Sequence, residues 1–326
     1  MACRSSRPTR RKPCCVIAPR WSSSKPRVAL RRETEARCEP NLVAPHQPRT
    51  LRRCRRQRYS HPLFARKDVC MPLDTSPRRV VRHVAWLLVL LVALQVRDVA
   101  KALGFPIPKI PVPYGGGIAD NLLSVVVVLV AAALLRPGMP GELAARLGLR
   151  WNGIRGPALT LLATLPCWLG LWTQSSSVGT DDLPGLLWLA LLFPLAEEIV
   201  FRGFGFVFAC RALAWRPVIA ALVQALVFGG VHWLGADGAG GEAVLIFAIT
   251  GVGALLFAIV DAQDGYTIWS GWVLHVSLNA AWTVFAVSDS AASGWFGTSL
   301  RLSAVFLAMG LLRLFVRPPR PARVLV

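Results

Sequence analysis

The chain has 326 residues, is 54% hydrophobic and carries a formal net charge of +20. The charge is not spread evenly: residues 1–70 hold 19 Lys/Arg against 4 Asp/Glu, and the rest of the chain holds 18 against 13. The high isoelectric point therefore describes one end of the chain. It gives no ground for reading the body as a nucleic-acid binder.

Residues 1–75 read as a disordered basic tail. They are rich in Arg, Pro and Ser and lack an apolar period, so they cannot bury enough surface to order themselves. Three readings of this tail compete. It binds nucleic acid or anionic lipid through charge; it is an Arg-rich, acid-poor transit peptide; or it precedes the true start. Met71 supports the third, because Pro-Leu-Asp-Thr-Ser-Pro-Arg-Arg and then an apolar span follow it directly, as in a short cytoplasmic start of a membrane protein. Six cysteines (Cys3, Cys14, Cys15, Cys38, Cys54, Cys70) fall in or beside this segment without any CxxC spacing. Cys167 and Cys210 lie inside apolar runs and read as small buried hydrophobes.

From residue 80 onward, eight segments have roughly the 20 mostly apolar residues that a membrane helix needs. They are 82–102, 118–136, 157–175, 183–210, 215–235, 242–262, 266–288 and 298–316, separated by turn-forming stretches such as PIPKIPVPYGGG and GADGAGG. The expected fold class is all-α, a polytopic membrane helix bundle of about eight transmembrane helices. Residues 76–150 hold the first two helices and a cytoplasmic loop, 151–316 the core helices and last helix, and 317–326 a basic C-terminal tail.

Lys and Arg set the expected orientation. Arg78, Arg79 and Arg82 precede the first segment; Arg136, Arg146, Arg150 and Arg155 lie between the second and third; Arg211 and Arg216 lie between the fourth and fifth; Arg313, Arg317, Arg320 and Arg323 are at the end. The alternate loops carry Asp181, Asp182, Asp237, Glu242 and Asp289. Both termini are thus expected on the cytoplasmic side. Arg97, Lys101 and Lys109 fit this scheme poorly, as does a loop after the sixth segment holding Asp261 and Asp264 without a base.

Ionisable groups at membrane depth cost about 2.5–3.5 kcal/mol each even on the lenient insertion scale, so they tend to pair or to line cavities. Three clusters occur. Glu197, Glu198 and Arg202 follow Pro194 in FPLAEEIVFRG; Glu198 and Arg202, four apart, share a face, while Glu197 is rotated away. Pro194 removes one backbone hydrogen bond and is expected to kink the helix. Phe228 and His232 are four apart across Gly229-Gly230, and His275 and Asn279 are four apart in HVSLN. At about 1.5 Å per residue the three clusters fall in one slab of membrane. Singly, a buried His or Asn more often joins helices than does chemistry. Together at one depth, a carboxylate, two imidazoles and an amide are the groups that activate water and hold an oxyanion.

The ordered set EExxxR, FxxxH and HxxxN on successive apolar segments resembles the CPBP intramembrane protease family, which holds type II CAAX prenyl proteases, bacteriocin-processing proteins and abortive-infection (Abi) proteins. The resemblance spans roughly 155–290. It implies peptide-bond hydrolysis in the membrane, with Glu197 as the general base assisted by His232, and His275 with Asn279 stabilising the oxyanion. Glu198 and Arg202 become a structural pair, and Phe228 is supporting. A metal-dependent mechanism and a metal-free glutamate mechanism both go with the resemblance; a zinc-like divalent ion would use Glu197, His232 and His275, and the absence of HExxH favours the metal-free form. Two readings from other classes remain: a non-proteolytic immunity or scaffold protein of the same fold, and a transporter using the Glu/His cluster, for which no inverted repeat is visible. The Ala/Arg/Gly/Leu-rich composition suggests a bacterial cell membrane. The expected partners are a peptide or membrane-protein substrate and the bilayer, with no nucleic acid.

Overall fold

The computed structural model of the chain describes residues 76–179, 182–285, 287 and 294–316. The basic tail, the start at Met71, the C-terminal tail, and Asp181 and Asp289 lie outside the described residues. The described ones belong to one unit, Cys70–Val326.

The architecture is all-α, with no β-sheet among the described residues. In chain order the helices are α1 (Pro77–Ala102), α2 (Gly115–Leu135), α3 (Pro140–Arg146), α4 (Arg155–Ala163), α5 (Leu165–Gln174), α6 (Leu183–Ala212), α7 (Pro217–Gly235), α8 (Gly240–Gln263), α9 (Trp269–Val284) and α10 (Trp295–Phe315). Six of these, α1, α2, α6, α7, α8 and α10, are long and apolar enough to cross a membrane. Two of the eight expected spans take another form. The segment 157–175 breaks at Thr164 into α4 and α5, because Pro166 opens α5 and has no N–H to continue the α4 hydrogen-bond ladder. The segment 266–288 contributes the 16-residue helix α9, which starts after a left-handed turn at Gly265 and Tyr266.

The centre of the bundle is α6, which packs against α1, α2, α7, α8 and α9. Its second half, Glu198–Phe208, has Phe201, Phe204, Phe206 and Phe208 buried on several sides, as expected for a helix enclosed by neighbours. Two hydrophobic clusters meet on α8: one joins α1, α2, α6 and α7 and includes Ala254 and Ala258, and the other joins α4, α5, α9 and α10 and includes Phe257 and Val260. The candidate site lies along this seam.

The expected kink in α6 takes the form of widened turns. Residues Leu186–Leu192 and Glu198–Phe208 are π-helical, flanking a short α-helical stretch that holds Pro194. In the π register the amide of residue 194 would pair with the carbonyl of Leu189, and proline has no amide to give. Asn279 Nδ2 of α9 donates to that Leu189 carbonyl at 3.3 Å. Trp272 Nε1, also on α9, donates to the Leu191 carbonyl at 3.2 Å. The proline thus opens a polar seam in α6 that α9 closes.

Two charge placements that fitted the orientation scheme poorly have structural partners. Arg97 forms an ion pair with Asp120 at 3.1 Å and donates to the carbonyls of Ile107 and Gly116. Asp261 is not a loop residue, as the sequence reading had it. Helix α8 continues to Gln263, and Asp261 is fully buried in it. Asp264 ends the helix and accepts hydrogen bonds from Asn152, Thr267 and Ser270.

The start of α6 is tied to the start of α2 by the Tyr114 hydroxyl, which donates to Asp182. This bond, with a second from the Gly185 amide, holds the Asp182 carboxyl below its usual range, and the same bond pushes the Tyr114 hydroxyl above its own. The stabilisation is complete above the ordinary carboxylate range and is lost as pH falls through the depressed Asp182 value. On the alkaline side it is lost as pH rises through the raised Tyr114 value. Melting temperature followed against pH should show an acid-side decline that Tyr114→Phe makes shallower.

Candidate active site

The seven residues singled out in the sequence sit on three helices: Glu197, Glu198 and Arg202 on α6, Phe228 and His232 on α7, and His275 and Asn279 on α9, with α8 packed between α7 and α9. They fall into two groups around the Phe228 ring.

The first group is an open cleft of about 380 Å³ lined by Glu197 and His232 with Leu94, Val231, Gly235, Ala236 and Ile246. His232 Nδ1 lies 2.9 Å from the Phe228 carbonyl oxygen. A carbonyl can only accept, so Nδ1 carries the proton and a neutral His232 has Nε2 free to take one. Glu197 is partly buried. It is the carboxylate in this cleft.

The second group lines a cavity of about 170 Å³ and comprises Arg202, Phe228, His275 and Asn279, with Thr250 and Phe257 of α8 and Thr298 and Arg301 of α10 among the other walls. His275 Nδ1 donates to Glu198 Oε1 at 3.0 Å. Glu198 is fully buried and also pairs with Arg202, whose Nε lies 3.5 Å from Glu198 Oε2. The Arg202 guanidinium stands over the rings of Phe228 and Phe257, at 4.6 Å and 5.1 Å. The imidazole of His275 is thus oriented by Glu198, and Arg202 supplies the counter-charge. This is the arrangement in which a buried carboxylate fixes the tautomer of a working histidine.

Phe228 forms the wall between the groups. Its ring is 4.3 Å from His232 and 4.8 Å from Phe201, and it also faces the second cavity.

Asp261 was missed as a site residue. It is buried beside Glu198 and Arg202, and neither of its oxygens makes a hydrogen bond of ordinary geometry. The backbone of Gly271 passes between the two acids: a Cβ there would sit 2.5 Å from Asp261 Oδ1 and 3.3 Å from Glu198 Oε2. The motif spacing gave no signal for Asp261, since its partners are 63 and 59 positions away in the chain. Gly271→Ala should lower stability by about 1–3 kcal/mol, the usual cost of overpacking a filled interior, measured as a fall in the melting temperature of the detergent-solubilised protein.

The candidate metal ligands do not come together. Glu197 and His232 line the cleft, His275 lines the other cavity, and among the described residues no three His, Cys, Asp or Glu side chains converge on a point. The donor set here does not fit a three-ligand divalent site.

Residues 179–281 match the family of type II CAAX prenyl endopeptidase Rce1-like proteins. The resemblance read from the motifs is borne out over that range, which contains all seven motif residues. No curated protein matches the chain. With six apolar helices of spanning length and a match to a membrane-protease family, the chain is an integral membrane protein, and the match points to protease activity. Helix α10, which closes the second cavity, lies outside the matched range.

Proposed function

We propose that the protein is an intramembrane endopeptidase that hydrolyses its peptide with a glutamate-activated water and no protein-bound metal. The observation that carries this reading is the cleft in which Glu197 and His232 face each other's space within an apolar bundle. Glu197 takes a proton from water, assisted by the free Nε2 of His232, and the hydroxide adds to the scissile carbonyl. The second N–H of Asn279, and His275 Nε2–H when the imidazole beside Glu198 carries both protons, donate to the oxyanion. Protonated Glu197 then gives its proton to the departing amine, so the water is divided between the two products. Because Phe228 stands between the base and the oxyanion donors, the reading requires the scissile bond to be held at that ring. Glu198 and Arg202 serve as the supporting pair.

The substrate is a peptide or membrane-protein segment reached from the bilayer, and the location is a bacterial cell membrane, following the composition. The test is cleavage of membrane peptides by protein in nanodiscs, backed by proteomics of cells with and without Glu197→Ala. Glu197→Ala, His232→Ala and His275→Ala should each abolish cleavage. A non-proteolytic scaffold of the same fold is favoured by one observation, the Phe228 wall. It would be preferred if no peptide were cut by the wild type and the three variants kept the protein's cellular effect.

A further inference from the structure

Among the described residues, the second cavity is short of a negative charge. Two guanidiniums border it. Arg202 is offset by Glu198 at 3.5 Å. Arg301, two turns into α10, has no carboxylate partner and no hydrogen bond among the described residues; its guanidinium carbon lies 4.3 Å over the Trp282 ring. Among the described residues, the titratable group that acts on it electrostatically is the Cys167 thiol, which is neutral when protonated. A guanidinium keeps its proton and all five N–H donors under any ordinary condition. Holding one without a counter-ion at membrane depth is costly, and stacking on an indole returns only about 0.5–2 kcal/mol of that. The planar fork is suited to a bidentate carboxylate.

The same cavity holds His275 and Asn279 and measures about 170 Å³. An anion received by Arg301 enters a cavity whose walls also carry the groups assigned to the oxyanion. We infer that Arg301 is a subsite for a carboxylate of the substrate peptide, placed within a residue or two of the scissile bond. The carboxylate is either the free C-terminus or the side chain of an Asp or Glu. The inference rests on the endopeptidase reading for its peptide, but the subsite itself is testable by binding.

The test uses full-length protein in nanodiscs carrying Glu197→Gln, so that peptides bind without being cut. The probe is one ten-residue apolar peptide made in four forms: free or amidated C-terminus, each with one internal Glu or Gln. Affinity is followed by fluorescence of the indoles, among them Trp282 against Arg301. One of the two acid-to-amide changes should weaken binding about 10- to 100-fold, the loss expected for a charge-assisted hydrogen bond. Which change does so identifies the source of the carboxylate. Arg301→Gln should weaken the acid form by the same factor and leave the amide form unchanged, and Arg301→Lys should fall between. In the cleavage-competent protein, Arg301→Gln should raise KM with little change in kcat. The melting temperature of Arg301→Gln should be at or above that of the parent, since a cation without a carboxylate partner among the described residues is removed. Equal binding of all four peptides, or an Arg301→Gln loss equal for acid and amide, would overturn the inference. Acid-selective binding without any cleavage would keep the subsite and overturn the endopeptidase reading instead.

Discussion

Glu197→Gln should leave the melting temperature within a degree or so of wild type and lower cleavage by about 10²–10⁴-fold, the range for loss of a general base, whereas Glu198→Gln should lower stability first and activity with it. The two acids are adjacent in sequence but differ in surroundings. Glu197 lines an open cleft with His232. Glu198 is fully buried between His275 and Arg202. Glutamine at 198 keeps the shape and an acceptor for His275 Nδ1, but it removes the charge that offsets a guanidinium only 2% exposed. Removing one partner of a buried ion pair costs about 3–5 kcal/mol. Asp261 moderates the loss, because it is the other carboxylate acting near Arg202. Thermal melts and cleavage rates on the two variants, side by side, separate the roles. An inactive Glu198→Gln protein that melts like wild type, beside an active Glu197→Gln protein, would exchange the two assignments.

How far the sequence carried the reading depends on the range of the interaction. The all-helical class followed from apolar segments of spanning length, and the pairing of Glu198 with Arg202 followed from i,i+4 spacing. Both are local. The His275–Glu198 hydrogen bond joins residues 77 positions apart, and depth matching placed those residues in one slab without saying which side each would face. The phase of α6 was also hidden. A 100° step per residue holds for an α-helix, but two π-helical stretches flank Pro194 and change the accumulated rotation. Asn279 was weighed as a joining residue or an oxyanion donor, and the carbonyl it bonds was made available by a proline on another helix. Asp261 escaped notice because it was read with Asp264 as part of the loop after the sixth segment, whereas helix α8 continues to Gln263. Hydropathy did not register the break at Thr164–Pro166 within the segment 157–175.

Arg202→Met is expected to be the most destabilising single change at the site, at about 3–5 kcal/mol. Methionine fills much of the volume against Phe228 and Phe257, so cavity formation is a minor part of the loss. The major part is electrostatic. The guanidinium faces Glu198 and acts on Asp261, and without it two buried carboxyls stand on either side of Gly271 with no cation between them. The cation–π contacts at 4.6 Å and 5.1 Å are lost as well, adding about 0.5–2 kcal/mol for a desolvated pair. This account makes a further demand. Neutral isosteres at the acids should restore what Arg202→Met removes, because an apolar or neutral replacement of a whole buried charge cluster is often as stable as the cluster itself. Glu198→Gln and Asp261→Asn should therefore each be stabilising in the Arg202→Met background, although Glu198→Gln alone is destabilising in the wild type. A double-mutant cycle on melting free energies measures the coupling, expected at 0.5–3 kcal/mol for residues in one network. If the single losses simply added, the three groups would not be acting as one charge-balanced unit. The loss of activity in Arg202→Met would then need another cause than the release of Glu198 from its hold on His275.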